Sequence, residues 1–204
     1  MPSVRNMGPL ALTMEGGFDL GQRVKAWKEM YGSVDPKNVK LYIEQPFNLM
    51  TEETLDVLKQ LGKFQPSVIF IDTQTLAAPG VDENSNSEMT SLLSTVKLIS
   101  QMLGCLVVLV HHSGYSDKGR ARGASSMYAN MDVSMVVEGS AEAQGQRKLK
   151  MTKFKSGPLA SPMHFTLQEA GQSVAVVMTE PPINELQADH PDLFEGITPV
   201  QRRV

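Results

Sequence analysis

Residues Pro66 to Gly80 read PSVIFIDTQTLAAPG, and the fold turns on this stretch. Val68, Ile69, Phe70 and Ile71 follow one another without a polar residue between them. A short continuous apolar run fits a strand covered on both faces, as in a parallel sheet. The run stops at Asp72, with Thr73 next, so the strand delivers a carboxylate at its C-terminal end. Glycine, proline, asparagine and serine gather after it, and Thr75 to Ser87 is expected to be a loop.

Working outward, the same alternation of element types repeats. PLALTM, Pro9 to Met14, reads as a strand ending in Glu15, with Gly16 and Gly17 breaking it. Asp19 to Tyr31 carries Leu20, Val24, Trp27 and Met30/Tyr31 at helical spacing, with Asp19 as a cap and Gly32 as a stop. Val39 to Ile43 is a second short strand. TEETLDVLKQLGKF is a helix with Thr51 as N-cap and Thr54 at N3. Glu88 to Leu103 is a helix whose buried face runs Met89, Leu92, Leu93, Val96, Ile99 and Leu103, with Gly104 ending it. CLVVLV, Cys105 to Val110, is the strongest strand of the chain and reads as the middle of a covered parallel sheet. It ends on His111, His112 and Ser113, and a loop follows from Gly114 to Ser126. DVSMVVE and KLKMTKFK read as strands, and MHFTLQE with SVAVVMTE as a terminal hairpin. The expected class is α/β with a mainly parallel sheet and C-terminal antiparallel strands. The core is expected over residues 1–180, with a polar, flexible tail over 181–204.

Composition narrows the setting. The chain has 204 residues, 41% of them hydrophobic and 20% charged, which suits one globular domain. A net charge of -3 means that any cationic surface must be local. The single cysteine, Cys105, excludes an intrachain disulfide and a cysteine-rich metal site, and it suits a reducing cytoplasm. No apolar run approaches the ~18–20 residues of a membrane span, and no signal peptide is expected. The expectation is a soluble cytoplasmic protein with no membrane partner.

Ligands of open α/β sheets bind at the carboxyl ends of the strands. Glu15, Asp72, and His111 with His112 are the polar groups expected there. One such acid alone is more often a cap or a salt-bridge partner than a catalyst, but groups on three elements converge on one crevice. Adjacent histidines on a strand point to opposite faces, and neither H-x-H nor H-x-x-x-H spacing occurs, which argues against zinc. No G-x-S-x-G elbow supports a hydrolase using His111 or His112. Nucleotide hydrolysis suits the residue types better. Asp72 would hold Mg²⁺, often through water, Glu15 would orient the attacking water, and His111 or His112 would sense the γ-phosphate.

From TMEGG through FIDTQT, DENSNSEM and VVLVHHSGYSDKGRARGASSMYANMDVSMVVE to KLKMTKFKSGP, the chain resembles the RecA-like (AAA-family) ATPase core of the RepA-type hexameric helicases, proteins common on plasmids and phages. The resemblance spans about Pro9 to Leu167. It implies ATP and Mg²⁺ as cofactors, assembly into a ring, single-stranded DNA as partner, and a link to DNA replication or recombination. Glu15 then resembles the catalytic carboxylate. Asp72, with Thr73, resembles the end of the Walker B strand facing metal and nucleotide. His111 and His112 resemble the sensor strand end. Lys153 and Lys155 resemble the basic finger pair that reaches a neighbour's nucleotide, although by themselves they read as a solvated strand edge. Lys118, Arg120 and Arg122, interleaved with Gly119 and Gly123, form a cationic strip suited to a phosphate backbone, and equally to a solvent-exposed loop.

One part of the family pattern is missing. A phosphate-binding loop reads G-x-x-x-x-G-K-[ST], and no Gly-Lys-Ser or Gly-Lys-Thr occurs in the sequence. The fold expected is therefore an N-terminally truncated RecA-like P-loop NTPase core, lacking the first strand, the loop and its helix. Such a chain reads as a fragment, a degenerate relative or half of a split enzyme that needs a P-loop-bearing partner. It is expected not to hydrolyse ATP alone. The alternative is a non-catalytic module that binds single-stranded nucleic acid or a partner.

Overall fold

A computed structural model describes residues 9–13, 17–32, 40–43, 48–63, 65–112, 125–139 and 145–182. In chain order the elements are β1 (Pro9–Thr13), α1 (Gly17–Tyr31), β2 (Lys40–Ile43), α2 (Glu53–Gly62), β3 (Val68–Asp72), α3 (Gln74–Ala77), α4 (Asn86–Leu103), β4 (Leu106–Leu109), α5 (Ser125–Asn130), β5 (Val133–Gly139), β6 (Arg147–Phe154), β7 (Met163–Ala170) and β8 (Ser173–Thr179). The tail beyond residue 182 lies outside the described residues.

The strands form two separate sheets of four, ordered β2-β1-β3-β4 and β5-β6-β7-β8. The first is parallel throughout. The second is antiparallel throughout. The antiparallel strands thus build their own sheet rather than extend the parallel one.

One face of the parallel sheet makes the core. Ile69 and Ile71 are fully buried there with Met89, Leu92, Leu93, Val96 and Ile99 of α4, while Val107 and Leu109 of β4 pack against them. These are the α4 positions that the helical spacing picks out. The ends of α4 follow from local chemistry. The Ser85 side chain accepts from the Glu88 N–H, the Glu88 carboxylate accepts from the Asp82 N–H, and Gly104 stops the helix in the left-handed region at φ 62°. Cys105 is buried beside this core, and burial raises its thiol pKa above the ordinary 9.0, as for an inert core residue.

Three local expectations are corrected. Thr51 does not cap α2: its hydroxyl and that of Thr54 both donate to the Asn48 carbonyl, and α2 begins at Glu53. The stretch after Asp72 is not loop throughout, because Gln74–Ala77 makes one helical turn, α3. The segment before β5 likewise holds α5, whose Met127 is buried in the main core. Both turns are too short for periodicity to reveal.

The largest correction concerns β4. Its continuous apolar sequence reads as a central strand, yet among the described residues it pairs only with β3 and stands at the sheet edge. Leu106 is 59% exposed.

The second sheet is tied back through α1, which packs against β7 and β8. Ala26 is buried in α1, and the Tyr31 hydroxyl donates to the Val176 carbonyl at 2.7 Å. The β7–β8 hairpin turns at Gly171, whose φ of 57° belongs to the left-handed region.

Candidate functional site

The parallel sheet reverses direction at one place. From β1 the chain steps outward to β2, then returns across to β3 and β4. The crevice beyond the carboxyl ends of β1 and β3 is therefore the topological switch point, where open α/β sheets bind ligands. Thr13 is in register with Asp72, so β1 ends beside the β3 carboxylate. Glu15 stands two residues further along the sequence, outside the described residues. On the other side, Ile71 is in register with Leu109, so β4 delivers His111 and His112 to the same end of the sheet. His111 is half-buried and His112 exposed, consistent with adjacent side chains taking opposite faces.

Asp72, the last residue of β3, is half-buried, and Thr73 after it is buried. The Asp72–Thr73 peptide is cis. The next residue locks two strand ends together: the Gln74 N–H donates to the Val110 carbonyl at 2.8 Å, and the Val110 N–H to the Ile71 carbonyl at 2.9 Å. Gln74 is 1% exposed; its Nε2 faces the Met89 sulfur at 3.7 Å. Its Oε1 is buried with no hydrogen-bond partner among the described residues. Thr75 then donates to the Glu83 carboxylate at 2.8 Å and ties the loop after α3 back to that helix. The sequence gives no sign of Gln74 as a site residue beyond its place two positions after the acid.

The basic pair sits elsewhere. The Lys153 ammonium donates to the carbonyls of Tyr128 and Ala129, at 2.6 and 2.9 Å, and lies 5.1 Å from the centre of the Tyr128 ring. Tyr128 donates in turn to the Thr152 carbonyl at 2.8 Å. A cation on the last carbonyls of α5 is a favourable cap. Lys155 pairs with Asp132 at 3.5 Å, an exposed contact of small energetic weight. Both lysines thus have partners within the chain. Lys118, Arg120 and Arg122 lie outside the described residues.

Among the described residues no group of three His, Cys, Asp or Glu could hold an ion. Asp72 alone can serve a hydrated Mg²⁺, which keeps most of its waters and takes only one or two protein carboxylates. The phosphates are a different matter. A triphosphate needs backbone N–H groups and a lysine around its β and γ groups, and no G-x-x-x-x-G-K-[ST] stands in the sequence to supply them. The described residues by themselves do not fit a bound nucleoside triphosphate.

A parallel sheet with polar strand ends at its switch point defines the class of α/β proteins that bind small ligands at the carboxyl edge. Residues 2–118 match a family model described as AAA domain; this is more than half of the 204 residues, and the chain belongs to that family. An AAA domain is ATPase-like, and domains of this kind in general bind nucleotide with Mg²⁺. A comparison with curated proteins finds no match. No helix among the described residues is long and apolar enough to cross a membrane.

Proposed function

We propose that this chain is the carboxylate and sensor portion of a RecA-like ATPase of the RepA-type helicase kind, linked to DNA replication or recombination. Glu15 orients water, Asp72 with Thr73 faces the metal and nucleotide, and His111 or His112 senses the γ-phosphate. Lys153 and Lys155 serve a neighbouring subunit's nucleotide in a ring, once released from Tyr128, Ala129 and Asp132. The observation that supports the reading is the register of Thr13 with Asp72 at the switch point, which sets the end of β1 beside the β3 carboxylate. The chain does not turn over ATP alone, because the phosphates have no anchor. Purified protein is expected to release phosphate from Mg-ATP at the no-enzyme rate, and Glu15→Gln to change nothing. Turnover that disappears in Glu15→Gln would overturn the inactivity.

A second reading is favoured by the ends of the cationic strip. It follows β4, whose last residues stand at the carboxyl edge of the sheet. In that reading Lys118, Arg120 and Arg122 hold single-stranded DNA with no engine attached. Binding is then steeply salt-dependent, and a double Arg120→Ala, Arg122→Ala variant loses about 1.4 units of the log–log salt slope, at ~0.7 per phosphate contact. An unchanged slope in the double variant removes this reading.

A further inference from the structure

We infer that the outer face of α1 is a stacking platform for single-stranded nucleic acid, where Trp27 and Tyr31 take bases and Arg23 and Lys28 take phosphates. The site is separate from Asp72 and from the strip of Lys118, Arg120 and Arg122, and it rests on neither reading above.

The apolar stripe of α1 is not the face that the helix buries. Helical spacing picks out Leu20, Val24, Trp27 and Tyr31. Yet α1 packs against β7 and β8 and buries Ala26, at 2% exposure. Leu20 and Val24 are half-buried, while Trp27 stands 39% and Tyr31 49% exposed. The two rings lie against each other, with centroids 5.5 Å apart and planes tilted by 37°. The Val176 carbonyl accepts from the Tyr31 hydroxyl, so that ring is fixed before any ligand arrives. Two held rings on a helix, open to solvent on one side, suit a ligand with flat faces of its own.

Charge agrees with the rings. Arg23 stands one helical turn before Trp27, and Lys28 one turn before Tyr31. Both are exposed, and neither makes an ion pair among the described residues. Lys153 and Lys155, by contrast, are engaged within the chain. The acids of α1 lie away from the ring pair. The Glu29 carboxylate sits over Gly171 in the β7–β8 turn, and Asp19 stands two turns before Trp27.

Rings and cations together select one occupant. Every base has a π-face, and a single strand carries a phosphate beside each base, so aromatic side chains flanked by cations hold it without reading its sequence. A duplex keeps its bases stacked inside, out of reach of the rings. An acidic peptide answers Arg23 and Lys28 but leaves the rings unused. A second copy docked face to face sets like charges together, which opposes it.

Trp27 is the only tryptophan among the 204 residues, so its fluorescence reports this face alone. An oligo-dT of about twelve nucleotides is expected to quench it saturably at low salt. A duplex of the same length and polyglutamate are expected to leave it unchanged. Tyr31→Ala is expected to weaken the quenching titration about 5- to 150-fold, the loss for one stacked base, and Tyr31→Phe, which keeps the ring, to weaken it less. The Arg23→Ala, Lys28→Ala double variant changes two exposed positions and leaves both rings in place. It is expected to lose about 1.4 units of the log–log salt slope, at ~0.7 per phosphate contact, with circular dichroism unchanged. No quenching by oligo-dT at low salt would overturn the platform. So would equal quenching by the duplex or by polyglutamate, a Tyr31→Ala titration that matches the wild type, or an unchanged slope in the double variant.

Discussion

Leu92→Ala is expected to lower the free energy of unfolding by about 3 kcal/mol. Leu92 is 0% exposed and lies in the cluster of α4 with Ile69, Ile71 and Met89. Truncation removes the transfer energy of the lost carbons and leaves a cavity that neighbours on a helix and a sheet fill only in part, for about 2.7–5 kcal/mol in comparable buried leucines. Domains of this size have only about 5–15 kcal/mol in total. Here the α4 face of the sheet supplies most of the core, so the loss is a large fraction. Urea denaturation reads it as a lower midpoint at constant m. A shift worth less than about 1 kcal/mol would mean that α4 is not packed against β3 as described.

Gln74→Met is expected to act in the opposite direction, raising stability by about 1–2 kcal/mol. A buried polar atom without a partner costs about 1–3 kcal/mol, and replacing it with an apolar atom of similar shape recovers that cost. Met has nearly the length and flexibility of Gln and fits irregular gaps. The backbone bond from Gln74 to Val110 survives the change. The same urea titration measures the gain. A loss above about 1 kcal/mol would show that Oε1 is satisfied in solution and that the amide belongs to the fold. A gain means that a destabilising residue is kept at the strand ends, as is usual where a site and not the core sets the choice.

The core was largely legible because its signals are long. Eighteen residues of α4 give five turns of periodicity, with a serine at one end and a glycine at the other. The acid after Ile71 was legible because a buried strand has only one polar way out. Gln74 was not, since a single buried amide leaves no pattern. The clasp of Lys153 on Tyr128 and Ala129 joins residues 25 and 24 positions apart, which no local spacing foretells. The misplacement of β4 is of another kind. Its continuous apolar run reads as a covered central strand, whereas among the described residues β4 pairs only with β3 and Leu106 stands exposed.

The bond between Tyr31 and Val176 spans 145 positions of sequence. During synthesis α1 leaves the ribosome long before β7 and β8 are made, so its inner face around Ala26 waits exposed for most of translation. Contacts this distant in sequence are slow to close, because the loop entropy is lost before the contact is gained. At about 5–20 residues per second the wait lasts roughly seven to thirty seconds. A stop codon anywhere before β8 would leave a product whose first helix lacks the strand it packs against most.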